Sequence, residues 1–591
     1  MRIWPRYRLS SPVIATDTPG VDSPTASRIV ERRLVGDPGA LVALGHPLLQ
    51  RIYAARGVCD MAELDYGLAG LPDYSDLAGI EAAVDVLAKA VARQRAIHVV
   101  GDFDADGATS TTLACEALSS FGARVDFFMP QRATHGYGLS PLVVSAMPAP
   151  GPGDVLLTVD NGIAAVAGVE AARAAGWQVV ITDHHLPGET LPPAEAIVNP
   201  NQPGCRFVSK RLAGVGVIFY VMAALRARLA ATGTTGLASL SSYLDLVAVG
   251  TVADVVALDH VNRTLVSQGL RRIRAGRGRP GINALAEAAG RDWRKLSPED
   301  IGFVIGPRIN AAGRLDDMTL GVNCLRAVES GPAQQAAEQL SSINRDRRRS
   351  QRRMAADAEA ALAAMHADGI SRDGIVVHGK DWHEGIVGLI ASKIREQRHR
   401  PVVAFAPGAG GELKGSARSI PGVHIRDVLA AVQASQPGLI TRFGGHAQAA
   451  GLTLSYSAFP AFIEAFDTAV RAVLTPELAS QAFHTDGELA TGDLTLATAK
   501  RLREAGPWGA GFDAPLFHGL FHIVSQRIVG EHHLKLKLMP STGGPVIDGI
   551  WFNHDTLLDE TIGHRLVYKL SVNEFRGEEK LDLVVEYGEN V

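Results

Sequence analysis

Cysteine is scarce in this chain of 591 residues, which contains four, at Cys59, Cys115, Cys205 and Cys324. No two of them form a CxxC pair. A disulfide scaffold and a zinc site with thiolate ligands both need several cysteines at short spacing. The sequence therefore argues against both classes.

Secretory signals, long apolar runs and low-complexity tracts are also lacking. The first residues, MRIWPRYRLSSPV, are polar and interrupted by proline, unlike the apolar centre of a signal peptide. No uninterrupted apolar run has the length of a membrane span. We therefore expect a cytoplasmic protein with no membrane partner, and the length favours three or four domains.

An excess of positive charge is missing as well, because the net charge is −4 at pH 7. The arginines are nevertheless concentrated in two runs, RRIRAGRGRPG at 271–281 and NRDRRRSQRRM at 344–354. A single run of this kind is most often a solvated helix face. Two such runs beside an acidic site instead indicate a channel that follows phosphates.

Short β-rich runs alternate with alanine-rich helical runs between residues 96 and 200. The predicted strands are AIHVV (96–100), ARVDFFMP (123–130), DVLLTVD (154–160) and WQVVITD (177–183). Apolar strands that alternate with helices predict an α/β fold with a doubly wound parallel sheet. In such sheets ligands bind at the carboxyl ends of the strands.

The remaining chain changes character several times. A breaker-free, arginine-rich segment predicts one long connecting helix, and five short runs after about residue 485 predict five antiparallel strands. Such strands fit a small barrel of the oligonucleotide-binding (OB) type, and the pattern leaves another small β-barrel open. The predicted parts are a helical lead-in without chemistry of its own (1–94), the main α/β domain (95–335), the connecting helix (336–368), a smaller α/β domain (369–468) and the β-barrel (480–591).

Acidic and imidazole side chains follow three of the predicted strands. These candidates are Asp102, Asp104, Asp106, Asp160, His184 and His185, to which Asp254 in GTVAD is added. Taken singly, each aspartate is more simply a helix N-cap or turn residue. Together, carboxylates this close cannot all ionise without a cation between them. Mostly carboxylate ligands with one or two imidazoles favour Mn²⁺ or Mg²⁺ over zinc, and their number is sufficient for two ions.

The order of motifs along the chain resembles that of the DHH phosphoesterase family. The motifs are DFDADG (102–107), VDNG (159–162), DHH (183–185), GTVAD (250–254) and GPRINAAGR (306–314), followed by GGHAQAAG (444–451). The resemblance implies a DHH domain, then a smaller DHH-associated domain. It implies that Asp104 and Asp106 are metal ligands, that Asp160 bridges two ions and that His184 and Asp254 complete the coordination. On the same basis, Asp102 and His185 either contact these ligands and orient them, or contact the substrate, or serve as alternative metal ligands.

Arginines and glycines in three further motifs are candidates for holding a nucleic acid. In GPRINAAGR, Arg308 and Arg314 offer planar donors that match phosphate oxygens, and the glycines allow a close backbone approach. The resemblance places this motif beside the metals, so we expect Arg308 to contact the scissile phosphate and Asn310 to support it. The alternative is that an arginine of this motif pairs with Asp316 or Asp317. QRATHGYG (131–138) adds Arg132 and Tyr137.

In the smaller domain the candidates are Ser416, Arg418, Gly444, Gly445 and His446. By spacing alone the two glycines predict a turn, whereas the resemblance implies a cradle for the nucleic-acid backbone. In the barrel, aromatic side chains with Lys535 and Lys537 fit single-strand binding by stacking and charge. The same alternation of Leu and Lys is equally typical of any half-buried strand.

The resemblance implies a single-stranded-DNA exonuclease that proceeds 5′ to 3′, releases mononucleotides and acts in recombination and mismatch repair. By analogy it also implies a single-strand-binding protein and a DNA helicase as partners, and a monomer. One alternative is a family member that cuts short RNA or cyclic dinucleotides, which the terminal barrel disfavours. The other is a non-catalytic strand-binding scaffold, which the intact metal motifs disfavour.

Overall fold

The structure, a computed structural model, describes residues 28–136, 138–367, 371–530, 532–575 and 577–591. The chain divides into two compact units. The larger unit comprises Glu31–Ala360, Trp382–Leu389 and His484–Val591, and the smaller one contains Ala361–Asp381 and Ile390–Phe483.

The strands are numbered in chain order. They are β1 (Arg28–Glu31), β2 (Ala96–Val100), β3 (Arg124–Phe128), β4 (Val155–Val159), β5 (Gln178–Thr182), β6 (Ala196–Val198), β7 (Ile375–His378), β8 (Val402–Pro407), β9 (Glu412–Arg418), β10 (Arg442–Gly445), β11 (Ala449–Ser455), β12 (Ala482–Thr485), β13 (Phe517–Val529), β14 (His533–Pro540), β15 (Ile547–Trp551), β16 (Gly563–Phe575) and β17 (Glu578–Asn590). The lead-in, which was predicted to be helical, therefore also contains a strand, β1.

The α-helices follow the same rule. They are α1 (Pro47–Ala55), α2 (Ile80–Ala92), α3 (Ala105–Ser120), α4 (Arg132–His135), α5 (Pro141–Ala146), α6 (Val166–Ala174), α7 (Gly214–Ala231), α8 (Leu244–Ala253), α9 (His260–Arg272), α10 (Pro280–Glu287), α11 (Pro298–Asp300), α12 (Gly306–Leu315), α13 (Thr319–Arg326), α14 (Ser330–Ala367), α15 (Glu384–Arg398), α16 (Ile425–Ser435), α17 (Phe459–Arg471), α18 (Pro476–Ala479) and α19 (Leu496–Glu504). Two π-helical turns, Ile273–Arg277 and Ile301–Ile305, follow α9 and precede α12.

The main sheet of the larger unit has the strand order β3-β2-β4-β5-β6, and all its pairs are parallel. Alternate residues of β4 enter two different cores: Leu157 packs with the helices on one face, and Leu156 on the other. The predicted doubly wound parallel sheet is therefore confirmed. The winding direction reverses between β2 and β4, which opens a crevice at the carboxyl ends of these two strands.

Helix α7 is 18 residues long, has a mean hydropathy of 1.5, and so has the length and composition of a membrane-crossing helix. Arg226 and Arg228 interrupt its apolar residues, which agrees with the expectation that no uninterrupted apolar run has the length of a membrane span. Its residues are 67% buried inside the protein, where α7 packs against α3 and the sheet, so its apolar surface is used in the core.

The smaller unit is built on a mixed five-stranded sheet with the order β10-β11-β9-β8-β7. Only β7 and β8 are parallel; the other pairs are antiparallel. Phe405, Leu452 and Phe462 lie in the core between one face of the sheet and helices α16 and α17. This arrangement confirms the predicted smaller α/β fold. The exact domain boundaries, including those of the connecting helix, stay predictions.

The C-terminal strands form a closed barrel with the order β13-β14-β15-β17-β16. This five-stranded barrel confirms the predicted OB-like fold. The expectation that all five strands are antiparallel was wrong, because β15 and β17 pair in parallel, with Gly549 opposite Leu583. The physical reason is parity: around a ring of five strands, directions cannot alternate at every pair.

Candidate functional site

The predicted acidic residues lie where several elements of the larger unit end. Asp102 and Asp104 follow β2, and Asp160 follows β4. His184 and His185 lie beyond the end of β5, and Asp254 follows the last residue of α8. Asp104 also serves as the N-cap of α3, because its Oδ1 accepts a hydrogen bond of 3.0 Å from Gly107 N. The simpler role considered for a single aspartate is therefore real for Asp104, and it coexists with membership of the cluster.

All seven candidate ligands of this rim occur in compact sets. The ligand atoms of each set lie within 4.8 Å of one another, and the sets are Asp160 with His184 and His185, Asp106 with His184 and Asp254, and Asp102 with Asp104 and Asp160. Asp160 and His184 each belong to two sets. Shared ligands of this kind fit two neighbouring cations.

His184 and Asp160 meet at the centre of the cluster. His184 Nε2 lies 3.1 Å from Asp160 Oδ1, 3.5 Å from Asp254 Oδ2 and 4.0 Å from Asp106 Oδ2. Nevertheless, His184 Nε2 and Asp160 Oδ1 are both buried without a hydrogen-bond partner among the residues that the structure describes. Buried polar atoms are nearly always satisfied, so two such atoms facing a group of carboxylates fit a bound cation. The donor set therefore fits the divalent ions that were predicted.

Helix α7 holds Asp106 in place. The Gly214 N–H donates to Asp106 Oδ2 at 2.6 Å, and the Val215 N–H donates to Asp106 Oδ1 at 3.0 Å. These free N–H groups at the helix N-terminus favour a negative charge. A Cβ on Gly214 would lie 2.6 Å from the side chain of Asp160, so glycine is required for the helix to approach both carboxylates.

Asp183 follows β5 beside His184 and His185, but the sequence pattern assigned no role to it. Its Oδ1 accepts hydrogen bonds from the backbone N–H groups of His184 and His185 and lies 2.7 Å from His185 Nδ1, while its Oδ2 accepts one from Ile163 N. Asp183 therefore orients both histidines. The available signal was its position as the first residue of the DHH motif.

Burial and crowding shift the pKa values of the cluster. Burial, with the Asp104 carboxylate next in importance, raises the pKa of Asp102 to about 8 and that of Asp106 to about 7. Burial and the other carboxylates raise the pKa of Asp160 and of Asp254 well above the usual range. Burial lowers the pKa of His184 to about 4, so its ring is neutral and offers a lone pair. The carboxyl groups of the cluster therefore either retain protons or need cations between them to neutralise their charge.

The motif GPRINAAGR forms helix α12, and one of its glycines allows a close approach to another part of the protein; the predicted approach to a phosphate stays a prediction. A Cβ on Gly313 would lie 1.7 Å from the carbonyl oxygen of Phe103. Gly313 therefore lets α12 pack against the loop that carries Asp102 and Asp104. Asn310 contributes to the same contact, because its Oδ1 accepts a 2.7 Å hydrogen bond from Ala105 N.

The arginines of α12 have partners other than those expected. Arg308 donates to Val304 O at 2.7 Å and to Ser341 Oγ at 3.1 Å, and no ion pair joins it to Asp316 or Asp317. Arg314 is largely buried and donates to Gly385 O at 3.1 Å. The predicted contacts of Arg308 and Arg314 with phosphate stay predictions.

Arg132 lies near the first motif, with its guanidinium 5.3 Å from the centre of the Phe103 ring. The positive charge of Arg132 contributes, after burial, to lowering the pKa of Arg314. Tyr137, the other candidate in this motif, lies outside the described residues.

In the smaller unit, Gly444 and Gly445 end strand β10 and do not form the turn that spacing alone predicted. Gly444 lies opposite Gly451, which in turn lies opposite Ser416 on β9. A Cβ on Gly444 or Gly451 would meet nothing within 4 Å, so this row presents bare backbone. A flat, open strip of this kind suits close approach of a ligand backbone.

The other two candidates lie at the ends of the neighbouring strands. Arg418 donates to Ser416 Oγ at 3.0 Å, and His446 N donates to Ala449 O at 2.8 Å in the turn after β10. The glycine at position 445 is required by its φ of +146° and by the contact its Cβ would make with Ala449 O at 2.4 Å.

Both barrel lysines are paired with acidic side chains of neighbouring strands. Lys535 Nζ lies 2.9 Å from Asp582 Oδ2, and Lys537 Nζ lies 3.2 Å from Asp548 Oδ1. Lys535 is mostly buried, whereas the Lys537 side chain is 57% exposed. The alternation of Leu and Lys at Lys535 is therefore explained by an ordinary half-buried β-strand, without a role in binding single-stranded DNA.

The two arginine runs differ. In the first run, Arg279 is buried and donates to Asp245 and Glu116, and Arg274 donates to Leu296 O. These contacts join helices of the larger unit to one another. The expectation that this run helps to form a phosphate channel is therefore not supported for Arg274 and Arg279. The second run lies on α14, where Arg349 pairs with Asp346.

Three parts of the chain match known protein families. Residues 96–251 match the DHH family N-terminal domain, residues 372–472 match the DHHA1 domain, and residues 485–587 match the RecJ OB domain.

Whole-length relatives give a consistent result. The chain is 51% identical to the single-stranded-DNA-specific exonuclease RecJ of Dickeya dadantii, over 91% of this chain and 95% of that protein. It is 47% identical to the protein of the same name from Escherichia coli, over 94% and 98% respectively. Among solved structures, RecJ of Thermus thermophilus in complex with Mn²⁺ has a TM-score of 0.78 at 29% identity, covering 95% of this chain and 80% of that one. An exonuclease RecJ bound to manganese has a TM-score of 0.58 at 33% identity, covering 70% of this chain and 98% of that one.

Proposed function

The chain belongs to the RecJ family of the DHH phosphoesterases, and we propose that it is a single-stranded-DNA-specific exonuclease. It hydrolyses phosphodiester bonds from the 5′ end and releases mononucleotides, in recombination and repair. The observation that carries this proposal is that two buried atoms, Asp160 Oδ1 and His184 Nε2, lie within a group of carboxylates at the switch point of the sheet and form no hydrogen bond with any described residue.

Two bound divalent ions, Mn²⁺ or Mg²⁺, would supply the means to activate a water molecule and to neutralise charge at the phosphorus centre. The residues that would hold them are Asp104, Asp106, Asp160, His184 and Asp254, with Asp102 as an alternate.

The protein itself prepares the geometry of this site. The N-terminus of α7 fixes both oxygens of Asp106, and Asp183 fixes the two histidines. Burial lowers the pKa of His185, but the hydrogen bond to Asp183 and the negative charges of Asp183, Asp102 and Asp254 together raise it to about 9. It is therefore protonated at neutral pH and lies where it can attract a phosphate oxygen.

Three groups of residues are assigned to contacts with the single-stranded DNA. Arg308 binds the scissile phosphate, with Arg132, Tyr137, Arg314 and Asn310 supporting the strand nearby. The strip formed by Gly444, Gly445, Ser416 and Arg418, with His446, binds the backbone. The OB barrel provides a further surface for single strands.

The proposed partners are a single-strand-binding protein and a DNA helicase, and the proposed state is a cytoplasmic monomer. These proposals rest on analogy with the family.

The alternative within the family is hydrolysis of short RNA or cyclic dinucleotides. The OB barrel, which residues 485–587 share with RecJ proteins, favours a long single strand instead. Turnover of a long single-stranded DNA compared with that of a dinucleotide discriminates the two.

The experiment that tests the function uses single-stranded DNA blocked at one end or the other, with and without Mn²⁺. We expect release of mononucleotides from strands with a free 5′ end only, and only with the ion present. Degradation from the 3′ end would contradict the polarity, and no degradation of either strand would contradict the nuclease itself. Preference for a duplex would contradict the strand specificity.

A further inference from the structure

The second arginine run contains a polar segment on the buried face of a helix. The buried positions of α14 are apolar before this segment, at Ala333, Ala337 and Leu340, and apolar after it, at Met354, Ala355 and Ala358. Between them lie Ser341, Asn344 and Arg347, which are 3%, 2% and 9% exposed. Their spacing of three residues keeps them on one face of the helix. A helix rarely buries an arginine in this way without a partner for it.

Neither Asn344 nor Arg347 has that partner among the residues that the structure describes. Asn344 Oδ1 and Arg347 Nε are buried without a hydrogen bond, and the described residues provide no ion pair for Arg347. Burying an unpaired charge is costly, and the cost is relieved when an anion enters. The exposed neighbour Arg349, by contrast, lies 3.5 Å from Asp346.

The charges around Arg347 have the same sign as its own. Burial and then the guanidinium groups of Arg314 and Arg348 lower the pKa of Arg347 to about 10. Arg308, whose Nε donates to Ser341 Oγ at 3.1 Å, connects α12 to this face of α14. Arg314 also interacts with the charge of Asp104, which lies with Asp102 in the loop between β2 and α3, here called the metal-binding loop. Positive charge therefore extends from the acidic rim along α12 to α14.

We propose that Asn344 and Arg347 of α14, with Arg314 of α12, form a buried pocket for one backbone phosphate of the single strand. Arg308 Nε of α12 donates to Ser341 Oγ on this face of α14, and Gly313 of α12 packs against Phe103 O in the loop that carries Asp102 and Asp104. We therefore assign the pocket to a phosphate near, and distinct from, the one that is cleaved. The planar guanidinium of Arg347 provides paired donors for two phosphate oxygens. This inference rests on the proposed function and adds a substrate-positioning residue to it.

The test compares Arg347→Gln with Arg349→Gln, a matched control from the same run whose side chain is 83% exposed. Binding of a fluorescent single-stranded oligonucleotide is measured over a series of salt concentrations, with EDTA present to prevent hydrolysis. A lost charge-assisted contact should weaken binding by Arg347→Gln roughly ten- to hundredfold. The slope of log K against log salt should become shallower by about 0.7, as for one lost phosphate contact. Arg349→Gln should bind like the wild type.

Thermal unfolding without DNA separates this role from a structural one. Arg347→Gln removes a buried, unpaired charge, so its melting temperature should equal or exceed that of the wild type. A lowered melting temperature would identify Arg347 as a structural residue and overturn the proposal. Equal affinities and salt slopes for Arg347→Gln and Arg349→Gln would overturn it too.

A second variant, Asn344→Asp, does not remove the arginine. The new carboxylate would pair with Arg347 and occupy its donors, so the melting temperature should rise while binding of the oligonucleotide weakens. Unchanged binding by this variant would contradict the pocket. Hydrolysis of single strands by the wild type with Mn²⁺ is measured in parallel: its absence would refute the proposed function, whereas an active wild type with an unaffected Arg347→Gln would refute the pocket alone.

Discussion

Two regions of the larger unit bury charged side chains. In one region each buried charge lies beside opposite charges, and in the other the buried charges lie beside charges of the same sign. Around α10, the guanidinium of Arg279 is 10% exposed and contacts carboxylates of both Asp245 and Glu116. At the carboxyl ends of β2 and β4, carboxylates gather beside one another, and no described residue forms a hydrogen bond with Asp160 Oδ1.

The difference between these regions separates structural charges from functional ones. A buried charge with an opposite partner from the same chain contributes to the fold, because removing one partner leaves the other uncompensated. Like charges held together weaken the fold unless a ligand of the opposite sign arrives. Composition does not reveal which buried arginines have partners: Arg279 of the first run pairs with Asp245 and Glu116, whereas Arg347 Nε of the second run has no hydrogen-bond partner among the described residues.

The largest effect is expected at the acidic rim. Asp160→Asn keeps the shape of the side chain and removes the charge shared by two ligand sets, so nuclease activity with Mn²⁺ should fall at least about 1000-fold. The matched control is Asp154→Asn, at the opposite end of the same strand, where the carboxylate only accepts hydrogen bonds from Ala96 N and Gly151 N. Initial rates on labelled single strands measure both, and equal rates would contradict the assignment of Asp160.

The next largest effect is expected in the paired region. Arg279→Met should lower the free energy of unfolding by about 3–5 kcal/mol, because Asp245 is left buried without its cation. Arg277→Met, which changes an exposed arginine of the same run, should have little effect. Urea unfolding measures both variants. If the two variants had equal free energies of unfolding, the pairing of Arg279 with buried carboxylates would not contribute to the stability of the fold.

Removing the ion should destabilise the protein more as the pH rises. Asp102 and Asp106 have folded-state pKa values of about 8 and about 7, above the ordinary value of 3.8, so the folded protein retains protons that the unfolded chain has lost. Without a cation, stability therefore falls as the pH rises from about 4 to about 8. Mn²⁺ at 100 times its dissociation constant should add about 2.7 kcal/mol. The increase in melting temperature on adding Mn²⁺ should be greater at about pH 8 than at about pH 6. An equal or smaller increase at the higher pH would contradict this linkage.

The smallest effect is expected from the contact between α12 and the metal-binding loop. Gly313→Ala would place a Cβ against Phe103 O and should cost about 1–3 kcal/mol of stability. It should also raise the Mn²⁺ concentration needed for activity, because the loop carries Asp102 and Asp104. Gly331→Ala in α14, where a Cβ meets nothing within 4 Å, is the control. A metal requirement unchanged by Gly313→Ala would indicate that α12 does not position the loop.

Much of the fold followed from local patterns. The strand at 154–160 was predicted because apolar residues follow one another, and β4 is buried along its whole length. The long helix was predicted because its segment lacks breakers, and α14 extends over Ser330–Ala367. The candidate rim followed from the rule that parallel strands present their carboxyl ends at one edge. The parallel pair in the barrel was missed because strand direction depends on closure of the whole ring.

The roles of individual residues were harder to predict. GPRINAAGR has the composition of an anion clamp, yet Gly313 is needed for packing against Phe103, and Asn310 Oδ1 accepts a hydrogen bond from Ala105 N at the start of α3. Asp183 was seen in the motif, but its hydrogen bonds to both histidines depend on a turn that no local pattern describes.

The amino-acid sequence alone determined the order of strands and helices, the family and the identity of the acidic cluster, because periodicity and motif spacing are properties of neighbouring residues. Only the tertiary structure decided which buried charges have partners. The partner of Arg279 comes from residue 245 and that of Asp106 from residue 214, and such distant segments meet only when the chain has packed.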